Sequence, residues 1–311
     1  MAVAGQQAAF VETVTNEGYQ TDTFQVSATG GGWAASVYDA TCTTPLTTTA
    51  SVTAGQSVDV CVKVSVPASA TEAEANSTTF TATSTGDPTR SASATLTTLA
   101  VATDTLLVDG DGDAPDTQSF YATALTANGI SFGVWDLAQN PDLSASYLAL
   151  HKNVVWYTGN AYPAPITPYE SELKALLDGG GRLLMSGQDI LDQAAGTTAF
   201  VSDYLHIDWN GTEVQNDKAT AAVHGVGGNP VSNGIGTVPL DHSALGAAFE
   251  DEVTPIAPAT AAFTDDSGQP DALSVADGPY KVVFLAFPLE AYGTATDKAD
   301  LVNRVFTYFG S

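Results

Sequence analysis

From Ser57 to Val66 the chain alternates without a break: Val58, Val60, Val62, Val64 and Val66 fall on one face, and Ser57, Asp59, Cys61, Lys63 and Ser65 on the other. A strict period of two dictates an extended strand with one face in a core and the other in water. Shorter alternations recur at Phe24, Val26 and Ala28, at Trp33, Ala35 and Val37, at Phe80 and Ala82, and at Ala92, Ala94 and Leu96. Helical periodicity is almost absent before Ala100, so this stretch predicts an all-β sandwich.

The period changes at Thr103 to Thr105. Apolar runs then alternate with amphipathic segments, the pattern of a parallel sheet wrapped by helices. Strands are predicted at Thr105 to Val108, Ile130 to Trp135, Val154 to Tyr157, Arg182 to Met185 and Lys281 to Phe287. Thr167-Pro168-Tyr169-Glu170 offers an N-cap, a proline at the first helical position and a capping-box Glu, and Gly179-Gly180-Gly181 closes that helix. Its buried stripe is Leu173, Leu176 and Leu177. A last helix, Asp297 to Phe309, puts Leu301, Val305 and Phe309 on one face. Between about 207 and 280, Gly and Pro interrupt every run, so irregular structure with short strands such as Ala261 to Thr264 is expected. The fold class is therefore multidomain, β plus α/β: an immunoglobulin-like sandwich over residues 1–102 and a flavodoxin-like parallel sheet with helices over residues 103–311.

Nine Lys and Arg against 35 Asp and Glu give a net charge of -26, which excludes nucleic acid as a natural partner and disfavours anionic membranes. Charged residues make up only 14% of the chain, so Thr, Ser, Ala and Gly must cover much of the surface. No apolar run is long enough to span a membrane. The opening residues MAVAGQQAAF lack a basic and apolar export signal. The two cysteines, Cys42 and Cys61, form an even pair, which suits an oxidising, secreted or cell-surface setting. Because Cys61 falls on the wet face of its strand, the expected bridge clips the Cys42 loop over the outside of a sheet. Asn76-Ser77-Thr78 and Asn210-Gly211-Thr212 match the glycosylation acceptor pattern, which makes Asn76 and Asn210 candidates.

Asn16-Glu17-Gly18, Asp22-Thr23-Phe24, Gly32-Trp33, Ala54-Gly55-Gln56 and Val66-Pro67-Ala68 together resemble the immunoglobulin-like modules repeated in secreted bacterial proteins, including those appended to subtilisin-like proteases and glycoside hydrolases. The second region resembles the glutamine amidotransferase-like, flavodoxin-like accessory domains found beside such modules in secreted bacterial peptidases. That resemblance is carried by Leu106-Leu107-Val108-Asp109, Gly129-Ile130, Val134-Trp135-Asp136, Trp156-Tyr157-Thr158-Gly159, Phe287-Pro288-Leu289-Glu290 and above all Gly179 to Ile190, GGGRLLMSGQDI. It implies a Cys on a strand-to-helix elbow with a His and a Glu from a later strand end, the arrangement of nucleophile, base and orienter. This chain departs from it. The elbow reads Ser186-Gly187-Gln188, the second region holds no Cys, and Phe287 stands where the base belongs.

Ligands of a parallel α/β sheet bind beyond the carboxyl ends of its strands. Thr158, Gly159, Ser186, Gln188, Asp189 and Glu290 fall there and make up a candidate pocket. Asp109-Gly110-Asp111-Gly112-Asp113 places three carboxylates at alternate positions, and such crowding calls for a hard cation, with calcium the expected one. Without a thiolate or an aligned histidine, no catalytic residue is assigned. The leading expectation is a non-catalytic accessory, spacer or binding region of a secreted or cell-surface bacterial protein, part of a larger extracellular hydrolase. Its partners would be other domains of a parent chain, neighbouring copies of itself, or a glycan or peptide. The alternatives are a structural subunit of an extracellular assembly, joined through the start near Val3 to Phe10, and a serine hydrolase using Ser186.

Overall fold

The computed structural model describes residues 1–164, 166–191, 198–209 and 219–311. Asn210, one of the two candidate glycosylation sites, lies outside the described residues. The chain divides into two compact units, Met1–Ala102 and Thr103–Ser311.

The first unit is built from β1 (Ala2–Val3), β2 (Gln7–Thr15), β3 (Phe24–Thr29), β4 (Ala35–Asp39), β5 (Ser57–Ser65), β6 (Ala75–Ser84) and β7 (Ser91–Val101). They form two sheets, ordered β1-β7-β6-β3 and β2-β5-β4. Between them lies a core in which Val60, Val62, Val64 and Val66 of the alternating segment meet Val26, Phe80 and Leu96 of the facing sheet. Period two is thus converted into one buried face, as the pleat requires.

Cys42 and Cys61 are joined, with Cα atoms 5.3 Å apart. Cys61 shares its face with Asp59 and Lys63 but is not wet: it is fully buried, because the Cys42 turn is pinned over it. That turn carries its own support. The Asp39 carboxylate accepts from Thr41 Oγ1 at 2.8 Å and from the backbone N–H groups of Thr43 and Thr44 at 3.0 and 3.3 Å. These bonds, the Thr43 N–H first among them, hold the Asp39 carboxyl far below the usual range. Asn76 is also buried: its Oδ1 accepts from Trp33 N and its Nδ2 donates to Thr78 Oγ1. The amide that a glycan would need is therefore occupied inside the fold.

The second unit comprises β8 (Thr105–Asp109), α1 (Gln118–Ala127), β9 (Phe132–Asp136), α2 (Ala145–Leu148), β10 (Asn153–Tyr157), α3 (Glu170–Asp178), β11 (Arg182–Ser186), α4 (Ala199–Asp203), β12 (Ala222–Gly225), β13 (Thr237–Pro239), β14 (Thr260–Thr264), β15 (Pro270–Asp277), β16 (Tyr280–Leu285) and α5 (Ala295–Phe309). All of these strands join one sheet, β13-β12-β14-β15-β16-β11-β10-β8-β9. Neighbours from β9 to β16 run parallel, and the β16-β15-β14-β12-β13 half is antiparallel. Strand order reverses at β8, so β8 and β10 flank a topological switch point, where crevices open in sheets of this kind. α1 and α5 pack together on one face, with Tyr121, Leu125, Leu301, Val305 and Phe309 in a shared core. α5 starts with a capping box, Thr294 and Asp297 bonding reciprocally, and ends at Gly310 with φ 80°.

Two local expectations are corrected. Thr167 does not cap: Thr167–Tyr169 forms a 3₁₀ turn, and α3 begins at Glu170 with no side-chain cap, although Leu173, Leu176 and Leu177 are its buried stripe. Pro168 fits the first turn by its fixed φ, and the tighter turn takes the place of the hydroxyl cap. Residues 207–280 are more ordered than their glycines suggest. The described part supplies four antiparallel strands, and Pro270–Asp277 is buried over most of its length. That strand pairs with β14 on one side and β16 on the other, so its partners outweigh its mixed sequence.

Candidate functional site at the strand ends

Ser186 ends β11 and lies fully buried. Its hydroxyl accepts from Leu289 N at 2.9 Å, faces Phe287 O at 3.2 Å and lies 3.0 Å from Tyr121 Oη. Tyr121 in turn donates to Glu290 Oε2 at 2.5 Å. Because the phenol has one proton and gives it to Glu290, Ser186 is left to donate to Phe287 O or to the phenol oxygen. All three side chains are within 3% of complete burial. Burial pushes the Glu290 carboxyl up to about 7, although the hydrogen bond from Tyr121 pulls it down. Burial, and then the negative charge of Glu290, hold Tyr121 well above its ordinary value.

The position after Ser186 has no room for a side chain: a Cβ on Gly187 would stand 2.0 Å from Thr158 Oγ1. Gly159 has φ 52°, and a Cβ on it would meet Asp111 Cβ at 2.8 Å. The elbow is thus packed against the loop after β10. Gln188, also fully buried, bridges two segments: its Nε2 donates to Asn160 Oδ1 at 2.5 Å and its Oε1 accepts from Phe249 N at 3.1 Å. Asp189 sits in the left-handed region at φ 56° with its N–H on Phe249 O at 3.3 Å.

No imidazole bonds to Ser186 among the described residues. His151 contacts Tyr147 O, His206 contacts Tyr280 and Asp277, His224 contacts Thr237 and Asp266, and His242 contacts the buried Glu250. Phe287, at the position implied for a base, is buried in an aromatic cluster with Phe263 and Tyr292. Acyl transfer needs a nucleophile within reach of both a base and a substrate carbonyl; the side chain bonded to Ser186 among the described residues is Tyr121, which joins it to Glu290.

The acidic loop is arranged differently from its sequence spacing. Asp111 turns inward as a structural acceptor, taking Thr117 N at 2.6 Å, Thr117 Oγ1 at 2.7 Å and Asp113 N at 2.8 Å. Asp109, Asp113 and Asp116 instead bring carboxylate oxygens within 4.8 Å of one another. Asp109 ends β8 in register with Tyr157 on β10, whose ring stacks on Tyr121 at 4.2 Å. Burial, then the charge of Asp111, pushes Asp109 up to about 7. Asp113 is raised first by Asp136 across the loop, then by desolvation and its acidic neighbours. None of the three enters an ion pair among the described residues. Tyr121 and Asp116 were not singled out in the sequence; a tyrosine one helical turn into α1 and a fourth aspartate beyond a proline carry no spacing signal.

No protein-family model matches the chain, and no curated protein matches it. Among solved structures, a putative ThuA-like protein from Bacteroides uniformis is 10% identical with a TM-score of 0.43, over 66% of this chain and 90% of that one. An exo-beta-1,4-mannosidase from an Opitutaceae bacterium is 16% identical with a TM-score of 0.41, over 66% of this chain. The chain spans only 35% of that mannosidase's length. A FixG-related protein from Vibrio parahaemolyticus is 14% identical with a TM-score of 0.24, over 30% of this chain and 78% of that one. These scores are too low to bear on function. No helix among the described residues is long and apolar enough to cross a membrane.

Proposed function

We propose that the protein is a non-catalytic accessory or binding region of a secreted or cell-surface bacterial protein, with an immunoglobulin-like module ahead of a flavodoxin-like, amidotransferase-like domain. The observation that carries this reading is the state of Ser186, fully buried and held by Leu289 N, Phe287 O and Tyr121. A hydroxyl with its bonds satisfied, and no imidazole bonded to it among the described residues, is a packing element. The disulfide supports an oxidising compartment. A fluorophosphonate serine probe is expected to leave the native protein unlabelled, and glutamine and simple esters are expected to remain intact. Labelling that disappears in Ser186→Ala would overturn the reading in favour of a serine hydrolase.

The same reading gives the acidic rim a ligand. Asp109, Asp113 and Asp116 would hold a divalent cation, calcium by the hardness of an all-carboxylate set, while Asp111 orders the loop through Thr117. Because a cation competes with protons for these carboxylates, its effect should grow as the pH rises from 5 to 8. The expected result is a higher melting temperature for the second unit in calcium than in sodium at matched ionic strength. Asp113→Asn with Asp116→Asn should remove that difference and keep the general salt response. Identical melting curves in the two salts would show that the loop takes no cation.

A further inference from the structure

β7 is longer than its outer neighbour. β1 pairs in parallel with only Ala100 and Val101, so among the described residues the β7 edge from Ser91 to Leu99 carries no strand. β2 is also an edge, bonded among the described residues through Gln7–Thr15 to β5 alone. Between the two edges lies a groove of about 1130 Å³, flanked by Glu12–Thr15 on one side and Ser91–Ala94 on the other. An open edge of this length is normally blunted or covered.

The groove is the uncovered end of the core. Along β7 the core-facing residues go from exposed Ala92 through half-buried Ala94 to buried Leu96, so the apolar face continues past the point where anything lies on it. On β2, Thr13 and Thr15 bond to Asp59 and Ser57 on the outer face, which turns Glu12 and Val14 inward. Glu12 is therefore a carboxylate pointing into the space between the sheets. Tyr19, at the mouth of the groove, is fully exposed.

We propose that this groove takes one extended strand of a partner polypeptide, added parallel to β7 and in line with β1, with apolar side chains against Ala92 and Ala94 and a Lys or Arg that meets Glu12. β1 already occupies the last two positions of the path, beside Ala100 and Val101, and sets its direction. Residues paired across parallel strands point to the same face, so those in register with Ala92 and Ala94 enter the groove, and alanine at both leaves room for larger partners. An extended backbone is the occupant that supplies hydrogen bonds to an open strand edge while filling alternate pockets. Charge selects the basic residue: Glu12, Glu17, Asp22 and Asp87 line the groove against the single cation Arg90. The proposal stands on the first unit alone and holds whether or not the second unit is catalytic.

The test uses the full chain and nine-residue capped peptides that alternate threonine and valine, with lysine, glutamate or proline replacing the central valine. Binding is read by calorimetry, and the site by amide hydrogen exchange. The lysine peptide is expected to bind and to slow exchange within Ser91–Leu99, and the proline peptide to do neither. Glu12→Lys should weaken the lysine peptide about tenfold or more and favour the glutamate peptide. Should Glu12→Lys melt early, Glu12→Gln serves, with the same loss for the lysine peptide. Three results would overturn the proposal: no protection of Ser91–Leu99 by any peptide, a dimer in which those amides are already protected, or binding of mannohexaose or cellohexaose in place of the peptides.

Discussion

Cys42→Ala with Cys61→Ala is expected to lower the stability of the first unit by about 3 kcal/mol, the loop-closure value for a bridge of this span. For a unit of this size that is a fall of roughly 10 to 20 °C in its melting transition. The loss should arise in the unfolded chain. In the folded state the Cys42 turn keeps the three hydrogen bonds to the Asp39 carboxylate, and β5 keeps its ladders to β2 and β4 on either side of Cys61. The variant should therefore hold native strand exchange rates at low temperature while melting early, and the transition of the second unit should stay in place. Scanning calorimetry with and without reductant makes the same comparison on the parent chain. A first-unit transition that does not move on removal of both sulfurs would show that the Asp39 turn alone fixes this loop.

What was legible in the sequence depends on how many independent constraints each segment carries. Ser57–Ser65 was readable because four valines on one face admit only one register against a core. The parallel strands of the second unit were readable because strands covered on both faces are apolar throughout, as in Thr105–Asp109 and Asn153–Tyr157, where every residue is buried. Pro270–Asp277 was not, since Asp271 and Ser274 lie buried inside it and break the pattern that would announce a strand. At the strand ends, sequence spacing gave the neighbourhood of Ser186 and Glu290 but not what joins them. Tyr121 links the two from a helix 65 and 169 residues away in the chain, and no local pattern encodes a contact of that range. The acidic loop is a different case. Alternation of Asp109, Asp111 and Asp113 gives a spacing but not the path of the loop: the chain leaves β8 here and curls, with Asp113 at φ 60°, so that Asp111 meets Thr117 and Asp116 comes round to Asp109.

The buried carboxyl of Glu290 should make the second unit most stable in mild acid. Its folded pKa, about 7, lies above the ordinary 4.5. The stability it contributes is therefore full below pH 4.5 and is lost as the pH rises through 7, because the unfolded chain releases this proton earlier than the folded one. A shift of this size corresponds to about 3 kcal/mol between the two ends of that window. Asp109, raised in the same direction, adds to the slope. On the acid side the sign reverses: Asp297, held low by its bonds to Thr294, and Asp241, held low by Ser243, lose their contribution as the pH falls below the ordinary carboxylate range. A melting maximum near pH 5 is the expected outcome. Glu290→Gln removes the charge and keeps an oxygen for Tyr121 Oη, so the variant should match the parent at pH 4.5 and melt higher at pH 8. Tyr121→Phe deletes the hydrogen bond that most favours the ionised form, and should steepen the decline between pH 5 and 8. If parent and Glu290→Gln give parallel curves across that range, Glu290 is ionised in the fold at all these pH values, and the Ser186–Tyr121–Glu290 chain would have to be stabilised as an anion by groups other than the phenol.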